Sequence, residues 1–255
     1  MRRLVLIILT LFLFFTNTIV DAKQDYIEKE FVTIAKDGFT INSTFKYPKN
    51  KNQKEFKTVV LLHSLGYNSQ WWCDLEVNLL ERGYAVLAID LRGHGKSVYN
   101  SRLIKTSWKN LKKTAFSKYP DDILEVINTI KEENSKKIFF DNWAIIGADI
   151  GASSGIIASD RVDIKPKTIV MISPAVNAKG LYIPISIAHL DNVDILAISG
   201  TGDTDSKEAA KYLRKFAQAQ FLEFTSESKT TGMMMLKNDP GLSKMLTEWV
   251  SEYLN

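Results

Sequence analysis

The chain is poor in the residues that staple a fold, chelate metals or shuttle protons. One of its 255 residues is cysteine, Cys73, and three are histidine, His63, His94 and His189. A lone thiol cannot close an internal disulfide, so the fold must be held by its core in any redox compartment. Scattered histidines without paired His or Cys spacing provide no zinc-type ligand set, and neither a metal nor another cofactor is expected. Phosphate loops, internal repeats, low-complexity blocks and Pro/Gly/Ser linkers are all missing, so nothing divides the chain into two domains. A dominant charge is missing too: 33 Lys and Arg stand against 29 Asp and Glu, a net +4. That excess is too small to name a polyanionic partner, and nucleic acid binding is not expected. The longest apolar run, residues 4–15, breaks at Thr16 and Asn17, short of the roughly 20 residues that span a bilayer.

Arg2 and Arg3, that apolar run, and the small residue Ala22 together have the layout of a secretory signal peptide. The expectation is cleavage after Ala22, with residues 1–22 as signal peptide and 23–255 as one domain of an exported, periplasmic or secreted protein. An N-terminal segment left uncleaved as a membrane anchor is the alternative; after cleavage no transmembrane segment is expected. At 45% apolar and 24% charged, the composition is that of a globular chain able to bury a full core.

The hydropathy pattern predicts an opening hairpin, with strands over residues 30–35 and 39–47 joined at Lys36-Asp37-Gly38. Short continuous apolar runs follow at 58–62, 85–91, 144–148, 168–173, 193–199 and 221–224, the mark of strands covered on both faces. Between them lie helical stripes. Ile123, Val126, Ile127 and Ile130 repeat at i, i+3, i+4 and i+7 behind Pro120, Asp121 and Asp122. Leu242, Met245, Leu246, Trp249, Val250 and Tyr253 form a second stripe on a closing helix. An antiparallel start followed by repeated strand and helix units implies an α/β fold, its sheet mainly parallel and flanked by helices on both faces, with its site at the carboxyl ends of strands. Residues 105–118 concentrate five lysines among Trp108 and Phe116, which reads as a solvated loop or helix face, with contact to an anionic surface as the alternative.

Four stretches together resemble the α/β-hydrolase superfamily over essentially all of residues 26–255, nearest to its small-lid esterase, dienelactone-hydrolase and serine-aminopeptidase-like members. Leu61-Leu62-His63-Ser64-Leu65-Gly66 is similar to the segment supplying one oxyanion-hole amide, here that of Leu65. Asp90-Leu91-Arg92-Gly93-His94-Gly95-Lys96-Ser97 resembles the Arg-Gly-His-Gly-x-Ser loop, where the histidine is structural. Gly147-Ala148-Asp149-Ile150-Gly151 looks like the nucleophile elbow, with aspartate where serine is usual and with Ile150 giving the second oxyanion amide. Ser199-Gly200-Thr201-Gly202-Asp203 resembles the acid loop, Asp203 matching the family aspartate and Asp205 or Ser206 capping the next helix. The family histidine falls on Thr231, ahead of Gly232 and Met233-Met234-Met235, and the methionines read as core or soft pocket lining. The resemblance implies an eight-stranded sheet and, because only residues 174–192 separate two strands where relatives insert a cap, a minimal lid.

One alternative stays open at the elbow. Gly151-Ala152-Ser153-Ser154-Gly155 also fits Gly-x-Ser-x-Gly and would make Ser153 the nucleophile, though it would bury Asp149 within a central strand. In the Asp149 register, Ser153 lies one helical turn further on.

Acyl transfer needs a nucleophile, an imidazole and a carboxylate to orient it. Threonine cannot move protons near neutral pH as histidine does, so the triad positions Asp149, Asp203 and Thr231 lack a base. The first expectation is therefore a catalytically degenerate protein that binds a ligand or partner. The second is a working hydrolase using Asp149 with Asp203 and water, on the precedent of aspartate nucleophiles in haloalkane dehalogenases and epoxide hydrolases. A pocketless structural protein is the third. A small molecule is the expected class of ligand or substrate, and two carboxylates without an imidazole between them favour a cation or cationic ligand.

Overall fold

The structure, a computed structural model, describes residues 25–49, 55–133 and 138–254. The expected signal peptide, residues 1–22, lies outside the described residues. Among the described residues no helix is long and apolar enough to cross a membrane.

The opening hairpin forms as β1 (Tyr26–Ile34) and β2 (Thr40–Pro48), antiparallel, with Ile34 opposite Thr40. Asp37 in its turn accepts the Phe39 amide at 3.2 Å, and Gly38 supplies the positive φ of 78°. Then come β3 (Phe56–Leu62), α1 (Cys73–Glu81), β4 (Ala85–Ile89), α2 (Lys113–Phe116) and α3 (Tyr119–Glu133). β5 (Ile138–Ala148), α4 (Ile150–Asp160) and β6 (Thr168–Ile172) follow. A two-residue hairpin, β7 (Asn177–Ala178) and β8 (Leu181–Tyr182), precedes α5 (Pro184–Ala188), β9 (Asp194–Gly200) and α6 (Thr204–Leu213). The chain closes with β10 (Phe221–Ser226), α7 (Met233–Asn238) and α8 (Leu242–Leu254).

Eight strands make one sheet in the order β1-β2-β4-β3-β5-β6-β9-β10. Only the β1/β2 and β2/β4 pairings are antiparallel; from β4 onward every neighbour is parallel. The strands run apolar because both faces are covered. Val60, Leu62 and Ile145 point to the side of α3 and α4, while Val59, Leu61 and Ile146 point to the side of α1 and α8. The α3 stripe is fully packed, and Leu242, Leu246 and Val250 of α8 are likewise buried. This is the α/β-hydrolase fold. Between β6 and β9 there is room only for the β7–β8 hairpin and the five residues of α5, so the lid is minimal.

Several boundaries differ from expectation: β1 begins at Tyr26, four residues early, and β3 at Phe56, two early, while β10 runs two residues further, to Ser226. β4 stops at Ile89 because Asp90 leaves the ladder: its carboxylate accepts the amides of Ser69 at 2.8 Å and Lys96 at 2.7 Å, tying two loops together. β5 begins at Ile138, six residues early, and its pairing to β3 is irregular between Lys57 and Thr58.

Candidate active site

The carboxyl ends of β3, β5, β6, β9 and β10 converge on a cleft of about 890 Å³. Its walls include Ser64, Leu65, Asp149, Ser173, Asp203, Thr231, Gly232 and Met234. Four carboxylates line it, those of Asp149, Asp203, Asp205 and Glu208, and among the described residues no lysine, arginine or histidine does.

Asp149 makes the turn between β5 and α4, with φ 52° and ψ −117°, a sparsely populated conformation for a residue with a side chain. The flanking glycines are required by contact. A Cβ on Gly147 would sit 2.6 Å from the Ala152 backbone, and one on Gly151 would run into the carbonyls of Leu62 and His63. The turn presents the Asp149 carboxylate to two amides. Leu65 N–H donates to Oδ2 at 3.2 Å, and the Ile150 N–H, at the start of α4, lies close enough to favour the charged carboxylate. Burial pushes the Asp149 carboxyl above its ordinary range and Asp203 adds to this; the two amides and Lys179 on the β7–β8 turn pull the other way.

Ser153 lies inside α4, fully buried, its hydroxyl without a partner. Its amide donates to the Asp149 carbonyl at 3.2 Å, so it begins the helix ladder rather than the turn.

Asp203 occupies the start of α6, where Oδ1 accepts the Ser206 amide at 3.2 Å. The helix cap is thus Asp203, and not Asp205 or Ser206 as expected: only Asp203 has the non-helical backbone that lets a side chain reach the third amide of the helix. Its Oδ2 accepts the Ser173 hydroxyl at 2.7 Å. Ser173, at φ 51°, in turn accepts the Gly232 amide at 2.8 Å. A serine therefore takes the oxygen that an orienting carboxylate would offer to an imidazole. Thr231 is exposed on the cleft wall. Gly232 beside it approaches so closely that a Cβ there would strike the Ser64 hydroxyl, which accepts the Met233 amide at 3.1 Å. The methionines divide the roles expected of them: Met233 and Met235 are core, and Met234 lines the cleft.

The histidines are committed elsewhere. His63 is fully buried, accepts the Leu91 amide on Nε2 at 2.9 Å and donates Nδ1–H to the Ser64 carbonyl at 2.8 Å. Burial, with the neighbouring His94, pushes its pKa down to about 4. His94 accepts the Gly66 amide at 3.0 Å and donates to the Arg92 carbonyl at 3.1 Å, stacked on Trp108; burial lowers its pKa also. His189 follows α5 and meets Asp160 at 3.1 Å, away from the cleft. Among the described residues no three His, Cys, Asp or Glu are placed to hold a metal ion.

The model of the family described as serine aminopeptidase, S33, matches residues 53–203, more than half of the chain and including Leu65, the Asp149 turn and Asp203. The chain belongs to the S33 serine aminopeptidase family. Solved structures extend the likeness to nearly the whole fold. A dienelactone hydrolase from Anabaena variabilis superposes with a TM-score of 0.68 at 14% identity, covering 91% of this chain and 100% of that one. An esterase from Exiguobacterium antarcticum gives 0.62 at 14%, covering 86% and 98%. One from Pyrococcus furiosus gives 0.66 at 15%, covering 90% and 92%. No curated protein matches the sequence. Family and fold together make this a hydrolase-type protein; at these identities the solved structures speak for the fold alone.

Ser173, Lys179 and Glu208 were not singled out by the sequence. Ser173 carried a weak signal, a serine before proline at a strand end, which marks a turn; the other two come together with the site only through the fold.

Proposed function

We propose that the chain is an exported member of the family that has lost ester turnover and uses its cleft to bind a small cationic ligand. The observation that carries this reading is the Asp149 carboxylate seated on the Leu65 and Ile150 amides. Those amides are the donors an acyl-transfer site aims at the charge that develops on a substrate oxygen. Here a permanent carboxylate of the chain itself takes them, so an incoming carbonyl meets an occupied and negative site. Catalysis by Asp149 as nucleophile would leave an ester whose hydrolysis needs a base, and no imidazole lines the cleft. A water held between Asp149 and Asp203 would be the only alternative relay, and that reading predicts turnover. The size of the cleft speaks against a pocketless structural protein.

Four carboxylates and, among the described residues, no lining cation favour a positively charged guest, and the lack of a converging ligand triad among those residues favours an organic ammonium over a metal ion. Calorimetric titration with n-butylammonium, n-butanol and butyrate tests this. The amine should bind and the other two should not, with Asp205→Asn/Glu208→Gln weakening it; equal binding of all three would refute the charge argument. Export rests on the layout of residues 1–22, and a mature terminus at Lys23 is the expected result of N-terminal sequencing.

A further inference from the structure

Residues 91–120 hold eight Lys or Arg and no Asp or Glu, in a chain whose total charge is only +4. Three of the eight are spent within the fold: Arg92 on Asp122 and Asp37, Lys96 on Glu30, and Lys118 on Asp37. Arg102, Lys105, Lys109, Lys112 and Lys113 are exposed and form no ion pair among the described residues. In their midst a short arm turns back on itself, Tyr99 bridging Lys105, with the Asn100 side chain accepting the amides of Arg102 and Ile104. Its tip exposes Leu103 by 78% and Ile104 by 55%. Leu103 is held at φ 56°, a conformation that costs a bulky residue free energy and that Asn or Gly would adopt more readily.

The arm is firmly rooted. Trp108 donates its amide to the Gly93 carbonyl at 2.9 Å, stacks on His94 and lies against Gly66 beside the oxyanion loop. Lys113 extends to Gly180 on the β7–β8 turn, near Asn177 of the cleft wall. The basic stretch thus borders the mouth of the cleft.

We infer that the 99–113 arm is a docking surface for an anionic lipid bilayer, with Leu103 and Ile104 entering the headgroup region and the five exposed cations facing the lipid charge. Two exposed aliphatic side chains at the apex of a cationic arm fit an interface that is charged outside and apolar within. A nucleic acid would use the cations alone.

Sedimentation of the full chain with phosphatidylcholine vesicles, and with vesicles of equal parts phosphatidylglycerol and phosphatidylcholine, tests the inference. Binding to the anionic vesicles should exceed binding to the neutral ones at least tenfold; an N-terminal apolar segment would raise both alike. Each cation near such a surface is worth about fivefold, so Lys109→Ala/Lys112→Ala should lower anionic binding roughly 30-fold. Leu103→Asn/Ile104→Ser should lower it about tenfold with no loss of thermal stability, Asn relieving the backbone strain at position 103. Equal binding to the two vesicle types would overturn the inference. So would binding indifferent to both double variants, or tighter binding to duplex DNA that ignores Leu103→Asn/Ile104→Ser.

Discussion

Replacing Asp149 with glycine should make the protein more stable, and more so at neutral pH than in acid. Two costs sit on this residue. Its backbone at φ 52°, ψ −117° belongs to a region that glycine enters freely and other residues enter at about 1–3 kcal/mol. Its carboxyl, pushed above the ordinary range by burial, binds a proton more tightly in the folded state than in the unfolded one. A raised acid contributes its stability below the unfolded pKa of about 3.9 and loses it as pH climbs through the folded value. Ionised Asp149 is therefore a net burden at neutral pH. Glycine gives back roughly 0.4–1 kcal/mol through the greater freedom of the unfolded chain. The released Leu65 amide lies on the cleft wall, where water can serve it. The balance is a gain of about 1 kcal/mol at pH 7.5, or roughly 2–4 °C in melting temperature for a domain of this size. Thermal melts at pH 7.5 and pH 3.5 read both parts. At the lower pH only the backbone part should survive, while Asp149→Asn, which keeps the Cβ, should gain mainly at the higher pH. Destabilisation of Asp149→Gly by more than 1 kcal/mol at pH 7.5, or a gain equal at both pH values, would refute the reasoning.

Three further outcomes are expected. Asp149→Ser/Thr231→His should hydrolyse a short aryl ester on the order of 100-fold above either single variant, and adding Ser173→Gly should raise the rate again by freeing Asp203 Oδ2 for the imidazole. Ser153→Ala, read by chemical denaturation, should be neutral or stabilising by up to about 1 kcal/mol because an unpartnered buried hydroxyl is removed; a Ser153 nucleophile would instead show as lost activity. His63 is neutral in the fold with its pKa lowered from 6.5 to about 4, so the unfolded state binds the extra proton and stability should fall as pH drops from about 6.5 towards 4; in equilibrium unfolding over that range, His63→Gln should show a shallower slope.

Much of the fold was legible because its signals are local. Continuous apolar runs such as 58–62 and 144–148 became central strands, and the stripe from Ile123 to Ile130 became the buried face of α3. The strained elbow was legible because Gly147 and Gly151 are sterically obligatory there. What escaped was set by long-range packing. The Ser173 bond to the second oxygen of Asp203 joins residues 30 apart in sequence and depends on β6 and β9 lying side by side; the Asp203 cap on α6 is local, and was missed because Asp205 and Ser206 offered equally good capping side chains. The missing imidazole could be read directly. Its replacement by a hydroxyl bridge from Asp203 to the Gly232 amide could not, because no spacing rule joins residues 173, 203 and 232. The early start of β5 was hidden by Asp141 and Asn142, which interrupt the apolar run.

The central claim, that a carboxylate of the chain has displaced ester chemistry from this cleft, is tested most directly by steady-state hydrolysis of p-nitrophenyl acetate by the unmodified protein beside Asp149→Ala. The account predicts the same near-background rate for both. Sustained multiple turnover by the unmodified protein, abolished in Asp149→Ala, would contradict it.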